Sequence, residues 1–265
     1  MDFPGEIGLG LGIVIATGSA FYVIQSVFNM ATTIQNRYVN LLPVTMSSPG
    51  SLGPITITQD PSIDGSLTIL PSDNERTGIE FSYSYYLLVN EPTFSSGEDK
   101  LYCVFYKGYD NTPWPLNSPG VYIKGDTNTM RIIFSSFENV YNYIDIENIP
   151  IGKWFHVVLN FTNMALEVHI NGKLTQKLMF TDSLPYTNYG NIILFSNTTK
   201  RIILPNNINI NFAGAFTGML SNLVYTRYAL SFGEIQKLYN AGPTQQIVQT
   251  TGTEVSSLAN SWFTQ

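Results

Sequence analysis

The sequence predicts an all-β chain, an antiparallel sandwich, on three observations. Short runs rich in β-branched and aromatic residues follow one another at hairpin spacing from Ser66 to Tyr225, and such residues favour the pleated, half-buried surface of a strand. Asn171-Gly172 stands between two of these runs, where a type I′ turn needs positive φ at both central residues. One short helix closes the series: Ser231 and Glu234 have capping-box spacing, Ile235, Leu238 and Tyr239 recur at helical intervals, and Gly242-Pro243 stops the pattern.

The chain starts with an uncharged run from Ile7 to Phe28. About twenty apolar helical residues cross the hydrocarbon core of a bilayer, so residues 1–30 are expected to be a transmembrane anchor. Asp2 and Glu6, rather than bases, precede the run, which argues against a cleaved signal peptide. Gly8, Gly12, Ala16 and Ala20 share one face of the expected helix, where small side chains let a second helix pack closely. Arg37 is the first base beyond the run, and the positive-inside rule then places the carboxy-terminal part on the cytoplasmic side. Residues 31–61 turn to Thr, Ser, Asn, Gly and Pro, with Pro43, Pro49, Pro54 and Pro61, and read as an extended linker.

Strands are expected next at Ser66 to Leu70, Ile79 to Val89, Lys100 to Lys107, Val121 to Lys124, Met130 to Ser135 and Val140 to Ile146. The series goes on at Trp154 to Phe161, Ala165 to Ile170, Lys173 to Phe180, Asn191 to Phe195, Arg201 to Leu204 and Gly218 to Tyr225. The polar tail, residues 244–265, ends on Trp262-Phe263, two aromatics that are candidates for docking on a partner.

Lys and Arg number 13 against 19 Asp and Glu, a net charge of −6, with no basic cluster; nucleic acid, which needs such a cluster, is excluded as a partner. Only 12% of residues are charged, about half the usual share, so part of the surface is expected to be covered by other molecules. Cys103 is the one cysteine and reads as a buried strand thiol.

Three segments in order carry a family resemblance. Ile149-Pro-Ile-Gly-Lys-Trp-Phe-His-Val-Val158 resembles an "I-P-x-G-x-W-x-H-V" strand entry, and Leu166 to Lys173 an "L-x-x-Y-x-N-G" hairpin with His169 at the aromatic position. Phe216 to Tyr225, followed by Ala229-Leu-Ser231, Glu234-Ile235 and Leu238-Tyr239, resembles the family's closing strand and helix. Residues 62–243 thus resemble a laminin G-like domain of the concanavalin A-like lectin and glucanase superfamily. The resemblance implies a jelly roll of two curved antiparallel sheets; its members include lectins, calcium-dependent receptor modules, glycoside hydrolases and structural modules, and the fold does not choose among them.

The chemistry reads thinly. Tyr143-Ile-Asp145-Ile-Glu147 is the counterpart of a glucanase acid cluster with tyrosine in place of the first acid, and loss of that carboxylate would remove the nucleophile of a retaining hydrolase. No catalytic residues are therefore assigned, and an enzyme is not expected. His156 and His169 are the only histidines and make a poor metal set; calcium on loop oxygens near Asp110 or Asp126 is compatible with the sequence but singled out by no spacing, and no cofactor is assigned. The Tyr106 to Trp114 and Tyr186 to Asn191 loops combine aromatics with amides, making Tyr106, Tyr109, Trp114, Tyr186 and Tyr189, with Trp262 and Phe263, the candidates for contact with proteins or glycans. Asn160 and Asn197 begin glycosylation sequons. Together these features predict a membrane-anchored structural or adhesion module, foremost a minor capsid protein of a large DNA virus touching neighbouring shell proteins, its domain on the cytoplasmic or capsid side. A surface lectin is the alternative, and a glycoside hydrolase ranks third.

Overall fold

The computed structural model describes residues 15–27, 37–48, 53–73, 79–95, 98–109, 116–180, 184–204 and 208–248. Its strands are β1 (Tyr38–Ser47), β2 (Ile55–Ile57), β3 (Phe81–Val89), β4 (Leu101–Gly108), β5 (Gly120–Lys124), β6 (Met130–Phe134), β7 (Asn142–Ile146), β8 (Phe155–Phe161), β9 (Ala165–Ile170), β10 (Lys173–Met179), β11 (Asn191–Leu194), β12 (Thr199–Ile203), β13 (Asn209–Ala215), β14 (Gly218–Thr226) and β15 (Ile247–Val248). Residues 15–27 form helix α1, and Phe232–Ala241 form α2. The strands make two sheets, one ordered β10-β9-β8-β3-β14-β1-β15 and one β12-β13-β4-β5-β6-β7, with β11 joining β2 to β4. Pairing is antiparallel except at β1–β15 and β13–β4.

Alternation along β3 shows why the sheets stack. Phe81, Tyr83, Tyr85, Leu87 and Val89 belong to the core between the sheets, while Ser82, Ser84 and Tyr86 take the opposite parity, as strand geometry requires. Phe81 stacks on Phe161 with ring centroids 4.4 Å apart, and Tyr85 meets Phe105 of the other sheet edge-on at 5.2 Å. The outer face of β3 is buried too. There the Tyr86 hydroxyl meets the Leu238 carbonyl oxygen at 2.9 Å and that of Tyr239, and accepts from the Gly242 amide, tying the end of α2 to the sheet.

Two local signals took the expected form. Asn171 and Gly172 have φ of 50° and 74° between β9 and β10. At α2, Ser231 Oγ accepts from the Glu234 amide and Glu234 Oε2 accepts from the Ser231 amide. Ser231→Ala is expected to cost about 1 kcal/mol, a fall in melting temperature of about 3 °C; a thermal melt identical to wild type would show that this cap contributes nothing.

Other expectations are corrected. Among the described residues no helix is long and apolar enough to cross a membrane. The membrane location is overturned by this, and so is the placing of the domain on one side of a membrane; of the anchor expected over residues 1–30, residues 1–14 and 28–30 lie outside the described residues. Ala16 and Ala20 lie on α1 with exposed side chains, while Gly8 and Gly12 lie outside the described residues. The segment read as linker supplies β1, which pairs along its length with β14, and β2. Leu41, Leu42, Val44 and Met46 are buried, so apolar content outweighs the single Pro43. Ser66 to Leu70 is a loop instead of a strand, and β15, within the expected tail, pairs with β1.

Candidate functional site

The ends of β4 and β11 build one open groove. Antiparallel register sets Asn191 opposite Gly108 and Ile192 opposite Lys107, which brings Tyr109, just past β4, near Tyr189, just before β11. The two tyrosines are 55% and 84% exposed and line a groove of about 550 Å³ with Gln59, Asp60, Lys107 and Asn191, a volume suited to a small ligand.

Its walls are fixed by a hydrogen-bond network. The Gln59 amide donates to Asn191 Oδ1 (2.8 Å), Gln59 Nε2 donates to the Leu67 carbonyl (2.8 Å), and Gln59 Oε1 accepts from the Ile69 amide (2.9 Å). Opposite, Asn188 Nδ2 donates to the Lys107 and Leu116 carbonyls (3.1 and 2.6 Å), and Asn188 Oδ1 accepts from the Gly190 amide (2.9 Å). Asp60 sits at the rim, its Oδ1 accepting from the Ser62 amide and hydroxyl (2.9 and 2.7 Å), bonds that lower its pKa.

Lys107 is the unexpected member. It is 5% exposed, and its Nζ donates to the Gly190 carbonyl oxygen at 2.6 Å; among the described residues it has no carboxylate partner. It also borders a void of about 20 Å³ lined by Phe81, Tyr83 and Tyr225, and burial pushes its pKa down to about 8. Nothing in the sequence singled it out, because a lysine ending the apolar run Leu101 to Tyr106 reads as a strand terminus turned to solvent.

Of the other tyrosine candidates, Tyr106 is fully buried in a second apolar cluster with Tyr122, Ile133 and Phe212, so it cannot touch a ligand. Tyr186 is half-buried and meets Phe137 edge-on at 5.4 Å, and is not among the residues lining the groove. Trp114, Trp262 and Phe263 lie outside the described residues, as does Asp110.

The remaining titratable candidates have structural partners. Arg131 Nε and Nη2 grip both oxygens of Asp145 (2.7 and 2.6 Å) while the guanidinium lies 4.3 Å from the Tyr143 ring centroid, a bidentate pairing that occupies the carboxylate. Asp126 accepts from Thr127 Oγ1 and faces Lys124 Nζ at 3.6 Å. His156 is buried as expected, with Nε2 2.8 Å from Ser84 Oγ. His169, expected at the surface near the hairpin turn, is instead 7% exposed. No group of three metal-ligating side chains occurs among the described residues. Asn160 of the first sequon is 4% exposed and holds Ser82 Oγ (2.6 Å) and the Leu230 amide (2.8 Å), which leaves it unavailable to a glycan. Cys103 is buried and its thiol is pushed up to about 12 by burial.

No protein-family model matches the chain, and no curated protein matches it. Among solved structures it is similar to the binding domain of botulinum neurotoxin serotype G (15% identity, TM-score 0.46, 61% of this chain and 36% of that one). It is also similar to the receptor binding domain of the mosaic serotype C/D (12%, 0.44, 61% and 36%). A third is the binding domain of botulinum neurotoxin DC in complex with rat synaptotagmin II (20%, 0.44, 61% and 35%). The matches thus cover about a third of the length of those domains.

Proposed function

We propose that this chain is a saccharide-binding module of lectin-like jelly-roll type, and that the groove between Tyr109 and Tyr189 is its ligand site. The supporting observation is the groove itself: two exposed tyrosines with a rim carboxylate and amides, on backbone fixed by the Gln59 and Asn188 networks. Flat aromatic faces cover the C–H surface of a sugar ring, and Asp60 accepts from its hydroxyls. The laminin G-like segments support the same reading.

Tyr189 is almost fully exposed, so its truncation should leave stability within about 0.5 kcal/mol. On a glycan array the wild-type chain is expected to retain a defined set of oligosaccharides, and Tyr189→Ala to weaken retention at least tenfold, about 1.4 kcal/mol. An array on which nothing is retained, or on which Tyr189→Ala binds as wild type, would refute the reading.

Contact with other proteins is the second reading, favoured by α1, whose Phe21, Tyr22, Val23 and Ile24 are all more than half exposed. The shell role in a virion drew its force from a bilayer anchor, and among the described residues no helix is long and apolar enough to cross a membrane; it is not carried forward.

A further inference from the structure

An ammonium group has three N–H donors. At Lys107 one of them goes to the Gly190 carbonyl oxygen (2.6 Å), and no side-chain carboxylate among the described residues meets the others. Burying a cation without a counter-charge is costly, and this cost is already present in the free protein. The lysine belongs to the wall of the tyrosine-flanked groove and also to the void behind it, so an anion entering from outside is the group that would meet it.

The groove is also polarised along its length. Asp60, the acid on its rim, is turned into its own turn by two bonds from Ser62 and stands in solvent, where its charge is screened. Lys107 is shielded from solvent, and its field is screened less. Hydroxyl donors therefore suit the Asp60 end and an acceptor of full negative charge suits the Lys107 end.

We propose that the groove selects acidic saccharides, with the sugar carboxylate received by the Lys107 ammonium and ring hydroxyls by Asp60. This rests on the reading of the groove as a saccharide site and adds the ligand class. The pKa near 8 supplies a signature: the ammonium is present below that value and is lost above it. Of the groups around it, burial holds the Tyr83 and Tyr225 hydroxyls above the usual tyrosine range and Asp60 is ionised throughout.

The experiment is an array of uronic-acid and sialic-acid oligosaccharides, each printed beside its carboxyl-reduced counterpart, probed with the full chain at pH 6.5 and pH 9. Acidic members are expected to be retained at least tenfold better at pH 6.5 and to lose most of that margin at pH 9. Lys107→Met is expected to erase the margin while leaving retention of the reduced sugars, with a thermal melt to verify folding; the comparison of each acid with its reduced counterpart and the pH pair use the wild-type chain and stand even if the variant does not fold. Equal retention of acids and reduced partners, or a margin intact in a folded Lys107→Met, overturns the acidic preference and leaves the saccharide site standing. Retention of no sugar of either kind overturns both.

Discussion

Gly190→Ala is expected to lower stability by about 3 kcal/mol, a drop in melting temperature on the order of 10 °C, and to abolish ligand retention. The cause is a close approach between two backbones. A Cβ built on Gly190 would lie 2.1 Å from the Gly108 carbonyl oxygen and 2.3 Å from its carbon, and unlike the end of a flexible side chain a strand backbone cannot step aside. Relief requires residues 188–190 to lift away from the end of β4. That movement takes the Gly190 carbonyl from Lys107 Nζ and the Gly190 amide from Asn188 Oδ1, and with them the relation between Tyr109 and Tyr189. Gly233→Ala is the control, since a Cβ there meets nothing within 4 Å and alanine suits a helix better than glycine. Differential scanning calorimetry and the glycan array read the two effects separately. A Gly190→Ala chain that melts and binds as wild type would show that the approach of Gly190 to Gly108 does not shape the groove.

The same contact marks where the sequence stopped being informative. Local signals were legible because a few neighbouring residues carry their physics: Asn171-Gly172 names its turn, Ser231 and Glu234 name the start of α2, and the β-branched and aromatic run Ile79 to Val89 names a strand. The groove depends on residues 59–69, 107–109 and 188–191, brought together only by the pairing of β4, β11 and β2, and no spacing in the chain encodes that. Along β4 the faces could not be read from the sequence for a different reason. The pairing slips between Cys103 and Phe105, so Val104 and Phe105 both join the inter-sheet core while Tyr106 joins the second cluster. A bulge of this kind turns every later side chain over, which is why Tyr106 joins the second cluster and Lys107 belongs to the groove. Strand β1 was missed because Thr, Ser and Pro near it resemble a tether, whereas burial of Leu41, Leu42 and Met46 against the sandwich decides its state.

Acid is expected to destabilise the fold between pH 6.5 and pH 4, and His156 to be the main cause in that window. Its ring is fully buried, with Ser84 Oγ 2.8 Å from Nε2, the Tyr86 ring centroid at 4.7 Å and that of Tyr239 on α2 at 6.1 Å. Loss of solvation, reinforced by like-charge repulsion from His169, pushes its pKa down to about 4. His169 is lowered as well, chiefly by burial, against the opposing pull of Glu167, whose Oε2 is 3.9 Å away and whose Oε1 binds Lys177 Nζ. The unfolded chain takes up a proton at His156 near pH 6.5 while the native chain refuses it until about pH 4. Native His156 therefore contributes stability that is fully present above 6.5 and declines as pH falls, by about 3 kcal/mol in all. Urea midpoints measured across this range should show it as a slope. In His156→Gln the slope is expected to be shallower by about 1.4 kcal/mol per pH unit, one proton's worth, because glutamine does not titrate and the carboxylates shared by both proteins cancel in the comparison. Parallel slopes would assign the acid sensitivity elsewhere. Since the ring lies between β3 and Tyr239, its protonation strikes at the seat of the helix, and amide exchange within α2 should accelerate in mild acid while that of β8 stays slow.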